Sequence, residues 1–361
     1  VKINSYLIFL ILFFVSNHRA FAISLKDRIE WELKAPGHQV TAQVQEEISS
    51  HHLVLVSGVM NEFASLVSSY FTDGIRAVES LGMDHTSVDP PSSIEVSRNA
   101  DRLYSKIMGR RLAFWSSDRL GIYREHGSKP LVLMGHSKGG AETLLMILRH
   151  PELILEGIVD RVVILQGAIG GSPLAEPQNQ SFLSQAVASF FQPGFGSLEP
   201  QRMQSLFQAS LERSLESGLW GASRRMRVES EILLNQIKDR IFYVLADKTD
   251  GRIGPGISLV LSVVGQNLDH LGPNDGLVLL KDQVLKSRSA PLALGRVLAR
   301  LPVDHLGTTV RYFSSTDSRY QEAFMVSCLA HVFDSKIPMD EDSEAVDMIN
   351  RQSQELGNLF H

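Results

Sequence analysis

Ser137 stands in Gly135-His136-Ser137-Lys138-Gly139, where the apolar run 131–134 ends and a helix-like pattern begins. A serine hydroxyl is a weak nucleophile and needs a base beside it. It must also project from its sheet so that a carbonyl carbon can reach it. A sharp strand–turn–helix bend does this, and flanking glycines keep the neighbouring chain clear of the bend. The helix that follows points its first N–H groups at the turn, which suits a developing oxyanion. The N–H of Lys138, directly after the serine, is one expected donor. Alone, G-x-S-x-G is a weak signal, and a glycine-rich turn without chemistry is its bland reading. Apolar residues directly before it and a helical pattern directly after it strengthen the signal.

The stretch "VLMGHSKGGAETLLMI" resembles the nucleophile elbow of bacterial secreted lipases and esterases of the α/β-hydrolase superfamily. The resemblance continues in "VVILQGAIGGSPLAE", where Gly167, Gly171 and Ser172 match a Gly-Thr-Pro-His-x-Gly-Ser segment and Ala168-Ile169-Gly170 replace its middle. It continues in "GPNDGLV" (272–278), close to the acid loop, and in "VDHLGT" (303–308), close to the histidine loop. The family order of Ser, Asp and His implies Ser137 as nucleophile, Asp275 as acid and His305 as base. The plain alternatives are a turn residue for Asp275, since Asn-Asp-Gly is a turn signal, and a loop histidine for His305. His52, His85, His126, His136, His150 and His270 have no matching context and read as structural or exposed.

The resemblance places a second oxyanion donor in "LVSGVMNE", where Ser57-Gly58 replace the usual His-Gly. Val59 is the candidate, and Met60 the alternative. It implies no cofactor. Many such lipases hold calcium through an acidic residue shortly after the histidine, but 305–309 carries no carboxylate, so no metal is expected there.

The elements around these residues alternate. "HQVTAQVQEEI" (38–48) alternates apolar and polar residues and predicts an edge strand. Buried strands are expected at 52–58, 130–135, 160–168 and 239–247. Helical spacing runs through 61–82, interrupted near Asp73-Gly74, and through 93–112 and 141–150. This predicts an α/β-hydrolase fold, with a mostly parallel central sheet, helices on both faces and a helical lid-like insert at 176–238. The plain alternative for the insert is packing against the sheet edge. Two acids after the strand at 239–247, Asp247 and Asp250, compete with Asp275. "ADKTDGRIGPG" looks flexible, and its acids are expected to face solvent.

The chain has 361 residues, 43% hydrophobic and 21% charged, with a net charge of −5. That balance excludes a binder of phosphate backbones, so no nucleic-acid partner is expected. No CxxC, HExxH or Cys/His cluster suggests zinc. Lys2, the apolar run 6–15 and the small residues of "AFA" read as a signal peptide over 1–22, cleaved near Ala22, with export to a periplasm or beyond. A hydrolase domain over 23–335 and an acidic tail or surface helix over 336–361 complete the layout. Cys328 is the only cysteine, so no intramolecular disulfide forms. The expected activity is hydrolysis of small or lipid-like carboxylic esters, with transient contact to a lipid surface. The alternatives are a thioesterase or peptidase on the same scaffold, or a non-catalytic binding protein.

Overall fold

The computed structural model describes residues 24–37, 40–58, 70–110, 119–176, 195–217, 236–247, 266, 268–287, 290–309, 317–334 and 346–347. The segment read as a signal peptide, Val59, Met60, Asp250 and most of the acidic tail lie outside them, as do two stretches of the insert. Among the described residues, no helix is long and apolar enough to cross a membrane.

Among the described residues, six strands form one sheet: β1 (His52–Val56), β2 (Asp84–Val88), β3 (Leu131–His136), β4 (Val159–Leu165), β5 (Ile241–Ala246) and β6 (Arg296–Leu301). Their order is β6-β5-β4-β3-β1-β2, and every pairing is parallel. β1, β3 and β5 are buried at every position, as strands covered on both faces must be. β2 reads Asp-His-Thr-Ser-Val and is largely solvated, which fits an edge.

Helices α1 (Leu25–Lys34), α2 (Ala42–Ser49), α3 (Thr72–Ser80), α4 (Val96–Met108), α5 (Lys138–Arg149), α6 (Pro200–Ser217) and α7 (Ser318–Phe333) form two groups. α7 packs with α1, α2 and α3, while α5 packs with α4 and α6. Right-handed crossovers explain the split. The chain winds outward from β1 to β2 through α3. It then reverses, passing through α4 to β3 and onward through α5 to β4, so those helices cover the other face. The reversal opens a crevice beyond the ends of β1 and β3. Val56 pairs with Gly135, so Ser57-Gly58 and His136-Ser137 leave the sheet side by side at that crevice.

One local expectation changes. Residues 42–49 are helical, not an edge strand. Val40, Val44 and Ile48 are spaced by four, which fits helix and alternation alike, and the Thr41 hydroxyl decides by accepting from the Val44 N–H at 3.3 Å. The interruption expected near Asp73-Gly74 falls at the start of α3, which begins at Thr72 after Phe71 with φ 59°. Asp73 is buried and bonded to Arg76, and a Cβ on Gly74 would lie 2.7 Å from Met325 Cε of α7. Within the insert, α6 buries Met203, Phe207 and Leu211 and lies against α5.

Candidate active site

Ser137 has φ 55° and ψ −126°, a backbone conformation that costs an L residue about 1–3 kcal/mol. Its surroundings hold it there. Its N–H donates to Leu165 O at 3.0 Å, and its carbonyl accepts from Gly140, Ala141 and Ala168 at 3.1–3.2 Å. Two glycines are required by close approach. A Cβ on Gly139 would meet Ser57 O at 2.3 Å, and one on Gly58 would meet Ser137 Cβ at 2.7 Å.

The turn aims the hydroxyl at a histidine from the far side of the sheet. Ser137 Oγ lies 2.7 Å from His305 Nε2, and His305 Nδ1 lies 2.7 Å from Asp275 Oδ2. All three residues are buried. An ionised carboxylate can only accept, so Nδ1 carries the proton and Nε2 is left to accept from the serine. His305 follows β6, and its own N–H donates to Asp275 O at 2.8 Å. Asp275 Oδ1 accepts from Leu277 N at 3.0 Å and Val278 N at 2.9 Å. The Asn-Asp-Gly turn is closed by Asn274 Oδ1, which accepts from Gly276 N at 3.0 Å.

No family model matches the chain, and no curated protein proved similar to it. Solved structures do match. The fold aligns with that of a metagenomic carboxyl esterase at a TM-score of 0.50 and 22% identity, over 79% of this chain and 76% of the other. The chain has the α/β-hydrolase fold. A lipase of Bacillus licheniformis in mature form aligns at a TM-score of 0.47 and 20% identity, over 70% of this chain and 84% of its own. Phospholipase PlaB from Legionella pneumophila aligns at 0.36 and 13%, over 64% and 45%.

The carboxylate beside His305 does not sit directly after its strand. Asp275 arrives after a long excursion, and Gln283 ties it back to the end of β5. The Gln283 amide accepts from Ala246 N at 2.9 Å, donates to Ala246 O at 2.8 Å and reaches Asp275 Oδ2 at 3.3 Å. Ser172 Oγ donates to Leu277 O at 2.6 Å, so the 167–172 segment also braces the acid loop. Asp247 was expected to face solvent. It is buried instead and ion-paired with Arg300 of the neighbouring strand.

Lys138 opens α5, whose first N–H groups have no acceptor within the helix. The Ser57-Gly58 turn faces it, and the candidate donors Val59 and Met60 beyond that turn lie outside the described residues.

Reading the sequence placed His136 among the structural or exposed histidines but did not foresee its contact with His305. It is buried, and its Nε2 donates to His305 O at 2.6 Å. Burial, and next the nearby His305, push its pKa well below the ordinary value, so it stays neutral. Gln283 was missed as well. Neither carried a local signal, because each acts through a contact distant in sequence. His52 and His126 stack on each other at 3.8 Å, and His150 stacks on Tyr104 at 3.7 Å, in keeping with structural roles.

Proposed function

We propose that this chain hydrolyses carboxylic esters through an acyl-enzyme on Ser137. The observation that carries the proposal is the unbroken line from Ser137 Oγ through His305 to Asp275, with both contacts at 2.7 Å. In this reading His305 Nε2 takes the hydroxyl proton as Oγ attacks the ester carbonyl carbon. Asp275 stabilises the imidazolium that forms. The carbonyl oxygen, now negative, is met by the N–H of Lys138 and by a second N–H from Val59 or Met60. The tetrahedral species expels the alcohol, which leaves with the proton from His305. Water then attacks the acyl-serine, with His305 as base again, and the acid product departs. The chemistry needs no cofactor.

An apolar acyl group is the proposed substrate feature. The apolar side of a cavity of about 280 Å³ beside the segment after β4 supports this, formed by Ile169, Phe207, Leu211, Val284 and Leu285, with Gln204, Gln208, Lys281 and Asp282 making its polar side. That segment touches the elbow through the Ala168 N–H on Ser137 O. Export from the cytoplasm and transient contact with lipid surfaces belong to the same proposal, on the apolar N-terminal run.

The test is Ser137→Ala. Losing the nucleophile should remove about 10⁶-fold of kcat on p-nitrophenyl esters. A fluorophosphonate should label the native chain and spare the variant. A native chain that resists labelling and cleaves no ester of any chain length refutes the proposal. Faster turnover of matched thioesters or peptides would move it to another acyl-transfer reaction.

A further inference from the structure

Lys138 and Glu142 are both buried on the first turn and a half of α5, with Lys138 Nζ 3.1 Å from Glu142 Oε1. Desolvating each charge costs several kcal/mol, and an apolar pair of similar size would fill the space without that cost. What an ammonium adds is direction, through three donors that can seek carbonyls. Lys138 Nζ reaches Ser92 O at 3.3 Å and Pro91 O at 3.4 Å, and it donates to Ile94 O. These carbonyls belong to the irregular segment that leaves β2 and enters α4. Asn99 of α4 completes the cluster, donating to Glu142 Oε1 at 2.7 Å and to Pro91 O at 3.0 Å.

We propose that this Lys138–Glu142–Asn99 cluster is a positioning device for the oxyanion site, in which the Lys138 side chain anchors its own backbone N–H. The inference rests on the proposed ester hydrolysis. Ser137, with φ 55°, passes directly into Lys138, so the direction of the Lys138 N–H follows from how that residue is held. Below the helix its side chain is bonded to a segment of another element. Above, its N–H is free to meet a developing oxyanion. Hydrogen bonds weaken steeply as their angle falls, so a loosened peptide loses transition-state contact before it loses substrate contact. Lys138 and its partners touch no reacting atom through their side chains.

The experiment compares Lys138→Met with the double variant Lys138→Met/Glu142→Leu. The single variant strands a buried carboxylate and should be less stable than wild type. The double variant removes both charges and should regain that Tm. Neither restores the bonds to the 91–94 carbonyls. Both should therefore keep KM for p-nitrophenyl butyrate within about threefold and lose kcat by about 10- to 100-fold, less than the cost of deleting an oxyanion donor outright. Amide exchange over 90–96 should quicken in both.

A double variant with recovered Tm and wild-type kcat overturns the inference, as does a defect confined to KM. A double variant that fails to fold overturns it too, since the cluster would then serve the fold rather than the site. If the single variant alone fails to fold, the double decides. A wild-type chain that neither hydrolyses esters nor takes up fluorophosphonate overturns the function beneath. An active wild type with an unaffected double variant overturns the positioning role alone.

Discussion

Asp275→Asn tests the site through a single proton. Asp275 Oδ1 accepts two backbone N–H groups, from Leu277 and Val278, at 3.0 and 2.9 Å. An asparagine must keep its carbonyl oxygen there, because an NH₂ cannot accept. Its NH₂ is then forced into the place of Oδ2, facing His305 Nδ1, and also facing the Gln283 amide that lies 3.3 Å from Oδ2. Nδ1 must now accept, so the imidazole proton moves to Nε2 and points at Ser137 Oγ. That tautomer cannot take the serine proton. The expected fall in kcat is about 10⁴, or about 5.4 kcal/mol of transition-state stabilisation. Asp247→Asn is the matched control. It breaks the buried pair with Arg300, and the cost of about 3 kcal/mol should appear as a Tm lowered by several degrees. Its kcat per folded molecule should stay within about tenfold of wild type. Steady-state kinetics on p-nitrophenyl esters, with Tm for each purified variant, separates the two. An Asp275→Asn enzyme near wild-type activity, or an Asp247→Asn enzyme that is folded and inactive, would sink the tautomer argument.

Other outcomes follow from the same geometry. Gly58→Ala would place a Cβ 2.7 Å from Ser137 Cβ and 3.3 Å from its Oγ, displacing the serine from His305. A kcat loss of about 10²-fold or more is expected, with KM read alongside. His136→Ala leaves the buried His305 carbonyl without its donor, costing about 1–3 kcal/mol in denaturant titration and about tenfold in kcat. A Tm loss with unchanged kcat would show that His136 serves the fold alone. Burial raises the Glu142 carboxyl from its ordinary 4.5 to about 7, against the pull of Lys138 and Asn99. The unfolded chain releases this proton near 4.5 while the fold holds it to about 7, so stability should fall as pH rises through that window, by at most about 3 kcal/mol. Unfolding of wild type and Glu142→Gln at pH 4.5, 6 and 8 checks this, and a gap between them that does not vary with pH refutes it.

The central strands were legible because strands buried on both faces are nearly continuous apolar runs, as in "LVLMG" and "VVIL". The edge strand β2 was not, since its exposed Asp-His-Thr-Ser carries no such run. β6 escaped for a different reason. Its Arg300 reads as a surface residue, yet it lies beside β5 and pairs with buried Asp247. Helix α2 was mistaken for a strand because a spacing of four satisfies both periods, and one threonine cap settled the matter. α7 carries apolar residues around its whole circumference, which is what a helix packed on three others requires but not what an amphipathic search detects.

The 272–278 loop shows why the candidate site was legible by motif and not by position. A carboxylate that serves this histidine must stand beyond the end of β5, and Asp247 already occupies the next place in the chain. Arg300 of β6, which pairs with Leu245 in the sheet, forms an ion pair with Asp247. The end of β5 is then served by Gln283, whose amide pairs with both backbone groups of Ala246 and also reaches Asp275. A residue remote in sequence thus takes the place beside the histidine that chain order would have assigned to Asp247. The substitution holds only if Gln283 does both jobs at once. An amide can, because it accepts at one end and donates twice at the other, whereas a carboxylate at 283 could not donate to either Ala246 O or Asp275.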